Sequence, residues 1–334
     1  VVNYTIPWLP KKSIDFPTVE RLLSKSVETN QLTNYGPVTQ EFEEYLTKLL
    51  EVGDDRELIL CNNGTAAMHC IVNTLKIVNG WERFATSDYT FPSNISGPLE
   101  GVTVCDVDET LTTPKSYIPA NIECFIHTNL FGMVQRHPDE YGDLPLILDN
   151  AATPYSILDN KNIVNFGEAC IVSLHHTKQI GFGECGVAVV KKKYSEILRS
   201  LITFGIPTGH LKYGMNGKPS DIASAYAYQY ILNNFDGIKV RNKRIYDYYV
   251  SQLGEFIPDI GKDSIPFCYP LFSERADELQ ALLAENGIET KKYYKPLVGM
   301  KKAVEMYDKI LCLPCYVVIP SPFQGLGADQ DNHT

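Results

Sequence analysis

Short apolar runs recur between residues 57 and 192, and the stretches between them carry apolar side chains every three or four positions. Short runs with little polar alternation mark strands covered on both faces, and the longer period marks the helices that cover them. On this pattern residues 58–61, 102–105, 124–127, 146–148, 169–173 and 187–190 are predicted strands, and residues 65–78 a helix. Strands alternating with helices point to a mostly parallel sheet flanked by helices. Ahead of it, residues 38–46 have helical spacing, with Phe42, Tyr45, Leu46, Leu49 and Leu50 as the buried stripe. Beyond it, residues 220–234 and 238–253 read as two long helices, with Gly237 as the break between them. The tail, from about Pro258, adds a strand at 265–269 and a helix at 275–286 stopped by Gly287. The expected fold class is α/β, with a larger domain over residues 1–235, including an N-terminal helical segment, and a smaller C-terminal α/β domain over 236–334.

Composition narrows the function classes. A chain of 334 residues, 44% hydrophobic and 21% charged, is an ordinary globular protein with room for these two parts. The net charge of −10 argues against a general nucleic-acid-binding surface, which would be basic, and leaves open a local pocket for a nucleotide-linked small molecule. Nine scattered cysteines suit free thiols in a reducing compartment. Cys312-Leu313-Pro314-Cys315 has CxxC spacing, but with no second pair it reads as small buried residues near a strand. The seven histidines show no metal-ligand spacing, and no GxSxG elbow or Walker-type run is present. No segment has the features of a signal peptide or a membrane span, so the expected location is the cytoplasm.

Three candidate groups fall at predicted strand ends, where ligands bind in open parallel sheets. Asn63-Gly64-Thr65 leads from the first strand into a helix, whose unpaired N–H groups can hold a phosphate. Asp149 ends the strand at 146–148. Lys178 follows the strand at 169–173, ahead of Gly181-Phe182-Gly183-Glu184-Cys185-Gly186. Taken singly these are a capped turn, a strand-ending acid and a surface lysine. Together they are the parts that pyridoxal 5′-phosphate (PLP) chemistry needs: an amine for covalent attachment, a phosphate turn, and a carboxylate that keeps the pyridine nitrogen protonated. Ser173 could add a hydroxyl to the phosphate site, and Phe91, in Tyr89-Thr90-Phe91-Pro92, is equally a core residue or a ring to stack on the cofactor.

The order of further motifs is specific. Thr33-Asn34-Tyr35-Gly36-Pro37 with Phe42-Glu43, Asn63-Gly64-Thr65-Ala66-Ala67, Thr90-Phe91, Val104-Cys105-Asp106-Val107-Asp108, Asn129-Leu130-Phe131-Gly132, the lysine segment 173–186, Gly214-Met215-Asn216-Gly217-Lys218 and Leu313-Pro314 follow one another at the right separations. In these the chain resembles the DegT–DnrJ–StrS family of PLP-dependent nucleotide-sugar aminotransferases, of fold type I, across nearly its whole length. The resemblance implies that Lys178 carries PLP covalently, that Asp149 pairs with the pyridine nitrogen, and that Gly64, Thr65 and Ser173 bind the phosphate. It implies that Phe91 stacks on the ring and that Asn216 reaches the phosphate of a neighbouring subunit, so that a homodimer shares its active sites. The implied reaction moves an amino group from glutamate to a nucleotide-linked keto-6-deoxysugar by a ping-pong route, with Glu184 favouring C4 over C3. Four positions depart from the family pattern: Ala152 stands where Gln or His is usual, Cys185 replaces a glycine, Lys218 an arginine and Val298 a common histidine. A register placing Asn150 at the acid and Thr153 at the polar site is rejected, because Asn supplies no charge. The alternatives are a PLP-dependent sugar dehydratase, against which Lys178 argues because that branch carries His there, and a PLP-binding regulatory protein without turnover.

Overall fold

The computed structural model describes residues 4–319. Two helices come first, α1 (Phe16–Glu28) and α2 (Pro37–Leu49), followed by β1 (Arg56–Cys61), α3 (Gly64–Asn79), β2 (Phe84–Ser87) and β3 (Thr103–Cys105). Then come β4 (Cys124–Thr128), β5 (Leu146–Asp149), a two-residue hairpin of β6 (Ile157–Leu158) and β7 (Lys161–Asn162), β8 (Ala169–Ser173) and β9 (Gly186–Lys191). The seven-stranded sheet has the order β1-β9-β8-β5-β4-β2-β3. β9 is antiparallel to both its neighbours, and the other pairs are parallel.

The apolar runs are explained by their two faces. Leu58 and Leu60 of β1 pack with Phe42 and Leu46 of α2, while Ile59 and Cys61 point to the opposite core with Met68, Ile71 and Leu75 of α3. Cys170 and Val172 of β8 divide from Ala169 and Ile171 in the same way. Alternate residues of a strand face opposite sides, so a strand covered twice must be apolar throughout. The α2 stripe is buried at Phe42, Leu46 and Leu50, with Tyr45 and Leu49 packed at its margin.

α4 (Lys192–Leu201) leads to α5 (Asp221–Leu253), a single 33-residue helix. This corrects the expected break at Gly237. A mid-helix glycine costs about 1 kcal/mol, too little to end a helix whose flanking Phe235 and Ile238 are buried. The helix also runs through the boundary expected at residues 235 and 236.

The tail forms a small α/β unit: β10 (Cys268–Phe272), α6 (Ala276–Glu285), α7 (Lys301–Lys309) and β11 (Ile310–Pro314), the two strands pairing antiparallel. The strand expected at 265–269 starts instead at Cys268. Pro266 has no N–H to give a ladder, and the Phe267 N–H is spent on the Phe131 carbonyl at 2.6 Å. The unit is latched to the sheet by two acids. Asp88 accepts from the N–H groups of Val298 and Met300, and Asp106 caps α7 through Lys302 and Ala303.

Candidate active site

Because β1, β8 and β5 run in the same direction, their carboxyl ends share one edge of the sheet, and that edge gathers the expected residues. Gly64 is the first residue of α3, behind an Asn63 cap whose side chain accepts from the Ala66 N–H at 2.8 Å. The N–H groups of Gly64 and Thr65 have no acceptor among the described residues. They are the free donors a phosphate would need. A Cβ at Gly64 would lie 3.3 Å from that of Ser173, so the turn and the end of β8 are in contact. Gly186 sits closer still: a Cβ there would come within 2.2 Å of the Asn63 backbone, so only glycine fits.

Asp149 ends β5 and is buried. One carboxylate oxygen accepts from Asn94 Nδ2 at 2.9 Å, the other from the Ala151 N–H at 3.1 Å. Burial raises its pKa, opposed by those two hydrogen bonds and by the charge of Lys178. Lys178 lies in a tight turn after β8, its N–H on the His175 carbonyl at 2.8 Å and its own carbonyl accepting from Gly181. Its Nζ stands 5.7 Å from the centre of the Phe267 ring. Burial lowers the pKa of the amine, against the pull of Asp149. Tyr294 of the small unit closes the same space: burial, then Asp149, push its phenol well above the usual range, and its ring meets Phe91 edge-on at 6.4 Å. Phe91 follows β2 and is half exposed.

Asn216 is exposed. Its carbonyl accepts from Asn62 Nδ2 at 3.2 Å, beside the end of β1, and its side-chain oxygen accepts from Lys218 Nζ at 2.8 Å. Ala152 is buried, and its carbonyl is gripped by Gln179 Nε2 at 2.8 Å, which also donates to the Ile265 carbonyl. Asn150 and Thr153, the rejected register, are spent on structure: Asn129 donates to Asn150, and Thr153 donates to the Asn129 carbonyl. Burial first, then Glu184, push the Cys185 thiol up to about 12, so it is no nucleophile at neutral pH. All nine cysteines are free and buried, Cys312 and Cys315 included.

Sequence reasoning missed Asn94, Gln179, Tyr294 and Lys12. Asn94 had a faint signal, a polar residue three places past Phe91 in a short post-strand turn. The other three are brought in by contacts across the chain: Lys12 Nζ donates to the carbonyls of Lys178, 166 residues away, and of Gly181.

The residues fit PLP. Free N–H groups lie at a helix N-terminus at the end of β1, an under-bonded buried carboxylate ends β5 beside β8, and the half-buried lysine after β8 feels the charge of that carboxylate. The fold and this set are those of a PLP-dependent aminotransferase, and its family makes it one that acts on sugars. The chain belongs to the DegT/DnrJ/EryC1/StrS aminotransferase family, whose model matches residues 17–117 and 131–316. It is 26% identical, over 94% of each chain, to the dTDP-4-amino-4,6-dideoxy-D-glucose transaminase of Escherichia coli. Solved structures with the same fold include DesI in the presence of its TDP-sugar product (TM-score 0.78, 20% identity, 94% of this chain and 88% of that one). Another is Helicobacter pylori PseC, an aminotransferase of pseudoaminic acid biosynthesis (TM-score 0.76, 18% identity, 94% of each chain). Among the described residues no helix is long and apolar enough to cross a membrane.

Proposed function

We propose that this chain transfers the amino group of glutamate to a nucleotide-linked keto-6-deoxysugar, with C4 as the favoured position, in a cytoplasmic homodimer that shares its active sites. The observation that carries the chemistry is the half-buried Lys178, its amine pKa lowered by burial and under the charge of a buried Asp149, at the sheet edge that also holds a free helix N-terminus. Family membership supports the reaction type. The name of the E. coli relative supports C4 and a nucleotide-linked sugar. Support for the dimer is the resemblance of the Asn216 segment, together with exposed Phe204, Ile206 and Leu211 just before it.

PLP, when bound, supplies an electron sink for the carbon beside the transferred nitrogen. The rest falls to this chain. The Gly64 and Thr65 N–H groups and the Ser173 hydroxyl hold the phosphate. Asp149 keeps a proton, and so a positive charge, on the ring nitrogen, while Asn94 fixes the carboxylate. Phe91 and Tyr294 cover the site and exclude water. Asn216 contributes from the partner subunit. The Lys178 amine, whose pKa burial lowers, would take a proton from the α-carbon of glutamate and return one on the cofactor side. With the keto sugar it moves a proton back, to the former carbonyl carbon. Ala152 supplies no polar side chain where the family pattern has one that contacts the cofactor, and Val298 none where a histidine is common, so any contacts made there fall to other residues.

Incubation with glutamate and a panel of nucleotide 4-keto- and 3-keto-6-deoxysugars, read by mass spectrometry, tests this. An amino sugar with a mass gain matching C=O to CH–NH2 is expected with a 4-keto substrate. Amination of 3-keto substrates alone contradicts the C4 preference, and no conversion across the panel contradicts the function.

A further inference from the structure

The segment ahead of α1 crosses the molecule as a strap. Ile6 pairs with the small unit: its N–H donates to the Gly287 carbonyl at 2.9 Å, and its carbonyl accepts from Glu289 at 2.8 Å. The Trp8 N–H donates to the Glu289 carboxylate at 2.8 Å, and the indole packs edge-on against Phe267 and Tyr293. Phe267 is the ring beside Lys178 Nζ. Four residues on, the strap reaches the lysine turn itself. Lys12 Nζ donates to the Lys178 carbonyl at 2.6 Å and to the Gly181 carbonyl, and it lies 4.8 Å above the centre of the Tyr230 ring on α5.

This is an unusual place for a lysine. Its amine is received by two carbonyl dipoles and an aromatic face rather than by a carboxylate. Burial and the charge of Arg241 push it down to about 7. An amine donates in either protonation state, so the grip on the two carbonyls does not depend on its charge. The neighbouring Lys11 is exposed. The two carbonyls belong to consecutive reverse turns, closed by Lys178 N–H to His175 and by Gly181 N–H to Lys178, and Lys12 bridges them.

We propose that Lys12 is a positioning residue for Lys178: the N-terminal strap, seated on the small unit through Ile6 and Trp8, clamps the turn that carries the lysine and sets the direction of its side chain. The proposal rests on the reading that Lys178 is the residue to which PLP attaches. It makes a distinct claim about rate. A lysine on an unclamped turn samples more orientations, so attack on a PLP already held by its phosphate is slower, while the phosphate cradle is untouched.

The test uses the full chain stripped of cofactor. PLP is added, samples are reduced with borohydride at intervals, and labelled Lys178 is counted by peptide mass mapping. Non-covalent PLP affinity and thermal melting are measured alongside. Lys12→Met is expected to slow labelling of Lys178 at least tenfold, with affinity held within about threefold. Lys12→Arg, which keeps two donors, is expected within about threefold of the wild-type rate, and Lys11→Met at that rate. Labelling of Lys12→Met at the wild-type rate overturns the proposal. So does Lys12→Arg as slow as Lys12→Met, since Arg can fold and clamp equally. A wild-type chain that labels elsewhere than Lys178 overturns the reading beneath the proposal instead.

Discussion

Two regions of this molecule enclose a buried aspartate, and they treat it differently. Where α1, α2 and α5 meet, Asp221 receives four donors: the Ser26 hydroxyl, the Val38 N–H, and both the N–H and hydroxyl of Thr39. It caps α2 from a helix more than 180 residues away in sequence. Gly36 leaves the room, since a Cβ there would lie 2.4 Å from its carboxylate. At the sheet edge, Asp149 receives two donors, Asn94 Nδ2 and the Ala151 N–H. An ionised carboxylate offers about four acceptor sites, so Asp149 keeps capacity that its own chain does not use. The contrast separates an acid whose acceptor capacity the fold uses up from one with capacity left over, as the proposed role of Asp149 requires.

Three substitutions sharpen this contrast. Asp221→Ala leaves several buried donors unpaired and is expected to cost about 3–5 kcal/mol of stability, read as a shift in the urea midpoint. The folded fraction should still attach PLP. A cost below about 1 kcal/mol contradicts the structural role. Asp149→Asn has the reverse signature. Turnover is expected to fall by about a hundredfold to a thousandfold, the scale seen when one preorganised charge partner is lost. The melting temperature should hold or rise, because an under-bonded buried charge is gone. Activity within a few-fold of wild type removes Asp149 from the mechanism. The smallest effect belongs to the helix that carries Asp221. Gly237→Ala adds a Cβ with nothing within 4 Å, and is expected to stabilise by about 0.5–1 kcal/mol. Destabilisation would mean that α5 does break there.

The same comparison shows what the sequence could reveal. Lys178, Asp149 and Gly64 stand at strand ends, and strand ends are visible wherever an apolar run stops, so that edge was legible from local pattern. The clamp around Asp221 was not, because α1, α2 and α5 come together only in three dimensions. The antiparallel direction of β9 was hidden for a related reason: an apolar run buried on both faces reads the same in either direction. Gly237 misled because a glycine in helical spacing is a weak stop, and the buried stripe on either side outweighs it. Lys12 carried no signal, since a lone lysine in an irregular segment looks like any solvated one. Asn94 shows the limit of motif reading: the turn that carries Phe91 was noticed, but the partner it supplies to Asp149 lies 55 residues away in sequence.

The central claim is that Lys178 is the one amine the fold prepares for PLP. Borohydride reduction of the PLP-treated protein, followed by peptide mapping, tests it directly. The account predicts a phosphopyridoxyl group on Lys178 and its disappearance in Lys178→Ala. A label on another lysine, or none on a folded chain, contradicts it.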